Sequence, residues 1–140
     1  MAAAEFLEQR IDRRALPLAV GDLLVIVAFI YVGTVTHGET SFPPAGAQTV
    51  GTVLAVAAPF LVGWVVCAPL IGAYSAGAAE SPKASVPLAV RSWIPAAVVG
   101  LALRATPWVG GGVAVTFAVV MLVVGSVSLG VWRFVAGQLR

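Results

Sequence analysis

Three charged side chains fall within or beside long apolar stretches, where an uncompensated charge is expensive: Asp22, Arg91 and Arg133. A carboxylate in such a setting is by default a candidate for proton or ion coupling. Two arginines on other segments offer the alternative, a charged pin that keeps Asp22 ionised and ties segments together. The expectation is an inner charged cluster, Asp22, Arg91 and Arg133, with the Asp22 carboxylate meeting one of the arginines at roughly 2.7–3.2 Å. A second group, His37, Glu39 and Arg104, lies at the far ends of the stretches that hold Asp22 and Arg91. One histidine and one carboxylate are too few for a metal site, so no metal is expected. This outer polar cluster reads as an interfacial network, with a gate or anion-recognition site as the functional alternative.

Other chemistry finds no support. Cys67 is the single cysteine and sits in an apolar run, where it packs as a small hydrophobe. Gly72–Gly77 and Gly125–Gly130 read G-x-x-S-x-G, one residue longer than a nucleophile elbow. Asp22 is the one aspartate in an apolar stretch, so a two-aspartate intramembrane protease is not expected. There is no phosphate-binding loop and no paired-cysteine motif, and no cofactor is expected. The net charge of +2 forms no basic block, which argues against nucleic acid as a partner.

These residues must be positioned by elements that live in lipid. Of 140 residues, 60% are hydrophobic and 10% charged, against about 25% charged in soluble domains. A transmembrane helix needs about 20 predominantly apolar residues. Four stretches qualify: 16–36, interrupted by Asp22; 50–74; 86–103, interrupted by Arg91; and 109–131. Runs this long without alternation exclude barrel strands. The fold class is therefore all-α: an integral membrane bundle of four transmembrane helices spanning 16–140, preceded by a cytoplasmic or interfacial segment, 1–15. In that segment Ala3, Leu7 and Ile11 form one helical stripe, as in a helix lying on the membrane surface. Its charges of both signs, and the length of the apolar run after it, do not read as a cleaved secretory signal.

Basic residues set the orientation. Arg10, Arg13, Arg14, Lys83, Arg91, Arg133 and Arg140 fall on one side and Arg104 on the other, which places both termini in the cytoplasm. Trp93, Trp108, Trp132 and Tyr74 fall near expected interfaces, as an aromatic belt would, and Trp64 reads as a packing residue. Close helix contacts are expected at small residues: Gly33, Gly63, Ala68, Gly72, Gly100 and Gly130. Pro59, Pro69 and Pro95 should bend their helices.

Read together, Asp22, Phe29, Gly33 and His37, then Pro59-Phe60 and Gly63-Trp64, then Trp93, Gly100 and Arg104, and finally Phe117 and Trp132-Arg133 form an ordered set. In order and spacing the chain resembles a prokaryotic membrane-protein family catalogued as domain of unknown function 3054. Thr34 departs from that pattern, in which a basic residue is expected. The resemblance implies a multi-pass protein of a prokaryotic cell membrane with four helices, and brings no activity, substrate or catalytic residue. The best functional reading at this point is a small-solute or ion transporter or channel-like protein, acting as a homodimer. The alternative is a structural or accessory subunit packed against a larger membrane-protein partner; an enzyme ranks third. A water-accessible Asp22 would favour transport, and one sealed by an arginine would favour the subunit.

Overall fold

The computed structural model describes residue 5 and residues 11–75, 77–78, 80–109 and 114–139. Among these, four α-helices follow one another: α1 (Leu16–Thr36), α2 (Ala47–Ile71), α3 (Pro82–Arg104) and α4 (Val115–Gln138). No strand occurs among the described residues, apart from an isolated bridge between Ile11 and Tyr74. Each helix is long and apolar enough to cross a membrane, so the environment the chain requires is a lipid bilayer.

Local chemistry sets the helix ends. Proline occupies the first turn of α1 and of α3, where its missing N–H costs nothing. Ser81 caps α3, its Oγ accepting from the Ala84 N–H at 3.3 Å. Gly72 closes α2 in the left-handed conformation, φ 104°, and its N–H donates to the Ala68 carbonyl. Pro59 and Pro69 lie inside α2, and Pro87 and Pro95 inside α3.

The helices form a ring. α1 packs on α2 and α4, and α3 packs on α2 and α4, while the diagonal pairs keep their backbones apart and meet only through side chains, Phe29 with Trp93 and Phe60 with Phe117. Successive helices run in opposite directions. One end of the bundle therefore gathers the start of α1, the end of α2, the start of α3 and the end of α4. The buried face of α1 repeats every four residues: Leu18, Asp22, Ile26, Ile30, Thr34. The outward faces carry Val20, Leu24, Val62, Val65, Val123 and Val127, as lipid-facing surfaces should.

Aromatic rings fill the middle of the bundle. Trp93 is fully buried and lies 5.6 Å from Phe29, 6.1 Å from Phe60 and 6.4 Å from Trp64, centroid to centroid. Its indole N–H donates to the Met121 carbonyl at 2.8 Å. Within an α-helix that carbonyl faces the N–H of Gly125, and any Cβ at Gly125 would collide with the Trp93 ring. The glycine thus opens the backbone of α4 to an indole from α3. Gly63 similarly lets α2 approach the Ala96 carbonyl of α3.

Several sequence expectations shift. The fourth helix was expected at 109–131 and is found at Val115–Gln138; a charge normally ends a span, yet Arg133 lies inside this helix. The third starts at Pro82, earlier than 86, because of the Ser81 cap. The second ends at Gly72, short of residue 74. Trp93 and Tyr74 are buried and form no belt, because each finds an internal hydrogen-bond partner. Ala3 and Leu7 lie outside the described residues. Ile11, the third member of that stripe, is in the bridge to Tyr74, and the Asp12 N–H donates to the Tyr74 carbonyl at 2.6 Å.

Candidate functional site

The end of the bundle that holds the start of α1 contains a buried ion pair. Asp22 projects inward from α1 and Arg133 inward from α4, and neither has any solvent exposure. The contact is a two-pronged fork: Arg133 Nε donates to Asp22 Oδ1 at 2.9 Å, and Nη2 donates to Oδ2 at 2.7 Å. Such bidentate, charge-assisted pairs are the stronger kind and fix orientation as well as distance.

Four further groups complete the carboxylate and guanidinium. Tyr74, just beyond α2, donates its phenolic O–H to Asp22 Oδ2 at 2.6 Å and accepts from the Trp64 indole at 2.8 Å. Trp132 donates its indole N–H to Asp22 Oδ1 at 3.0 Å. Arg133 Nη1 donates to Ser85 Oγ at 2.9 Å and to the Ala73 carbonyl at 3.2 Å. Each carboxylate oxygen of Asp22 therefore accepts two hydrogen bonds. All four helices or their flanking turns contribute: Asp22 from α1, Trp64 and Tyr74 from α2 and its exit, Ser85 from α3, Trp132 and Arg133 from α4. Burial first, and the neighbouring Asp22 carboxylate second, hold the Tyr74 phenol above its usual range. It stays protonated and keeps donating.

The local sequence makes this possible. Gly21 precedes Asp22, and a Cβ there would collide with the Trp132 ring. The bare backbone lets the indole lie on α1 and reach the carboxylate beside it. Ser85 is the small polar residue three positions into α3, on the same buried face as Ala89, Ser92 and Ala96. The Arg133 guanidinium also stands 5.5 Å over the Tyr74 ring.

Arg91 does not join this cluster. It is exposed on α3, and the bonds to Asp22 come from Arg133, Tyr74 and Trp132. At the opposite end, His37 caps α1 and is exposed, its backbone N–H donating to the Gly33 carbonyl at 3.0 Å. Glu39 is exposed and helps line an open polar depression of about 330 Å³ with Thr40, Gln48 and Thr52. The Arg104 guanidinium lies 4.4 Å over the Phe117 ring. Among the described residues no cluster of three or more metal-ligating side chains occurs.

The small residues divide. Gly63 and Gly100 sit at tight helix contacts, Gly100 against the Phe60 ring, and Ala68 is fully buried. Gly130 makes ordinary contact with Val86 and Val90. Gly72 ends a helix, and a Cβ on Gly33 would meet nothing. Tyr74, Trp132, Ser85 and Gly21 also belong to the site, although residue type and spacing alone do not assign them to it. Tyr74 and Trp132 carried a readable signal: each is a hydrogen-bond donor near the depth of Asp22.

The sequence model of the family described as "Protein of unknown function (DUF3054)" matches residues 19–136. That stretch contains Asp22, Tyr74, Ser85, Trp132 and Arg133. No curated protein and no solved structure matches the chain.

Proposed function

The chain belongs to the DUF3054 family, and we propose that it serves as a sealed structural or accessory subunit in the membrane, with no solute path of its own. The observation that supports this is the saturation of Asp22. Its two oxygens take four hydrogen bonds from inside the protein, and its exposure is zero. A coupling carboxylate must exchange protons or ions with water. This one faces a guanidinium held by four donor contacts of its own. The rings of Phe60, Trp64 and Trp93, all buried, occupy the axis where a path would run. In this reading Asp22–Arg133 locks the first helix to the last, and the partner is another membrane protein. The subunit resides in a prokaryotic cell membrane with both termini cytoplasmic, as the bias in basic residues supports.

A hydrophobic carbodiimide, which couples to accessible carboxyl groups in membranes, tests the seal. Intact protein in vesicles should leave Asp22 unmodified, and Arg133→Leu should expose it. Modification of Asp22 in the intact protein, together with a proton or ion flux that Asp22→Asn abolishes, would replace this reading with transport.

A further inference from the structure

Of the charges within the helices that lie outside the lock, Lys83 and Arg104 sit at the two ends of α3, and Arg91 lies well inside it. Arg91 is exposed, and among the described residues its guanidinium has no hydrogen bond or ion pair. It stands on a stripe of exposed residues, Pro87, Arg91, Ile94, Val98 and Ala102. Their spacings of four, three, four and four put them on one face of α3. The opposite face, with Ser85, Ala89, Ser92 and Ala96, is buried in the bundle. Arg91 therefore points a cation into lipid from an otherwise apolar surface.

Depth decides what can neutralise it. Ser85 marks the level of the lock, because its Oγ holds Arg133. Arg91 lies six residues farther along the same helix, about 9 Å deeper. α3 has 23 residues, about 34 Å, and Arg91 is its tenth, about 3 Å short of the midpoint and about 13 Å from Pro82. The three-methylene stem of arginine can snorkel over only about half that distance. Lipid phosphates lie beyond the hydrocarbon edge, so the complementary group must come sideways, at the same depth. In lipid, that is a carboxylate on another membrane helix. Among its described residues, a second copy of this chain does not supply one. Of its described acids, Glu5, Asp12, Glu39 and Glu80 lie outside the four membrane-spanning helices, and Asp22 is already consumed by Arg133.

We propose that the outer face of α3 docks a transmembrane helix of a different protein, with Arg91 paired to an aspartate or glutamate at mid-span of that helix. This rests on the accessory-subunit reading and gives it a partner chemistry.

The test uses the full chain in phosphatidylcholine vesicles, with fluorescence energy transfer to synthetic leucine–alanine transmembrane peptides. One peptide carries aspartate at its centre and a control carries asparagine there. The aspartate peptide should associate about tenfold more tightly, the scale of polar contacts between helices in model membranes. Arg91→Leu should abolish the difference, and Arg91→Glu should transfer the preference to a peptide with a central arginine. Since Arg91 is exposed, both variants should keep the wild-type melting temperature. Equal association of the two peptides with wild type, or a preference that survives Arg91→Leu, would overturn the proposal. So would loss of the preference when phosphatidylglycerol is added, which would identify a lipid headgroup as the occupant. Carbodiimide reactivity of Asp22 in the same samples reports separately on the seal, so failure of the docking site and failure of the subunit reading give different results.

Discussion

Asp22→Asn is the sharpest perturbation of the lock, because it keeps the shape and removes the charge. The carboxylate presents two acceptor oxygens, each taking two donors. The amide keeps one oxygen and turns an NH2 group toward the other donor pair. If that pair is Tyr74 O–H and Arg133 Nη2, the phenol can rotate to accept, but the guanidinium cannot, since it has no acceptor. At least one charge-assisted bond, of about 1.5–3 kcal/mol, is lost outright. The Arg133 charge also remains, fully buried, without its counter-ion. Breaking one side of a buried pair costs about 3–5 kcal/mol, most of it the uncompensated charge. Unfolding by titration with a denaturing detergent, followed by helical content, measures the loss directly. Glu39→Gln, at the exposed opposite end, is the control and should change little. The double variant Asp22→Leu with Arg133→Met removes both charges and should recover most of the loss, since apolar replacement of a whole buried pair is often neutral. Equal effects of Asp22→Asn and Glu39→Gln, or a double variant no better than Asp22→Asn alone, would refute the lock.

The remaining expectations use other contacts. Gly125→Ala forces the Trp93 indole off the Met121 carbonyl and should destabilise by about 1–3 kcal/mol, the range for overpacking, seen as an earlier melt and altered tryptophan fluorescence. Gly33→Ala, by contrast, has open space and should be neutral or stabilising by up to about 1 kcal/mol through helix propensity. Tyr74 makes stability fall in alkali: its phenol is held protonated in the fold while the unfolded chain ionises near pH 10, so its contribution is complete below about pH 10 and is lost as pH rises beyond it. Tyr74→Phe should remove that dependence in a pH series of melts. Orientation is tested by cysteines placed at Thr40 and Lys83 in a Cys67→Ala background; an impermeant reagent added outside should label position 40 and spare position 83.

How legible the molecule is from its sequence depends on which physical term dominates at each place. The four spans follow from hydropathy and length, which lipid enforces without regard to tertiary detail, and α1 was delimited at 16–36 for that reason. Hydropathy misplaces α4, because it treats Arg133 as the end of a span, whereas compensation by Asp22 from another helix lets the span run past it. Choosing between Arg91 and Arg133 as the partner of Asp22 was beyond sequence for a related reason. Both have the right type and half of the bilayer, but the α3 face that carries Ser85 turns inward and leaves Arg91 outside. The helical phase separates them, and apolar residues on every side of a membrane helix erase the amphipathic signal that would reveal phase in a soluble one. The same loss of contrast explains the glycines. Gly33 and Gly125 look alike in an apolar run, yet one faces open space and the other admits an indole to a backbone carbonyl. In a bundle of this kind polar groups are the better guide to phase. Asp22, Arg133, Ser85 and Tyr74 are each buried and each bonded to another of the set. By that logic, Arg91, a charge exposed well inside a helix and away from its ends, belongs to an interface that this chain alone does not complete.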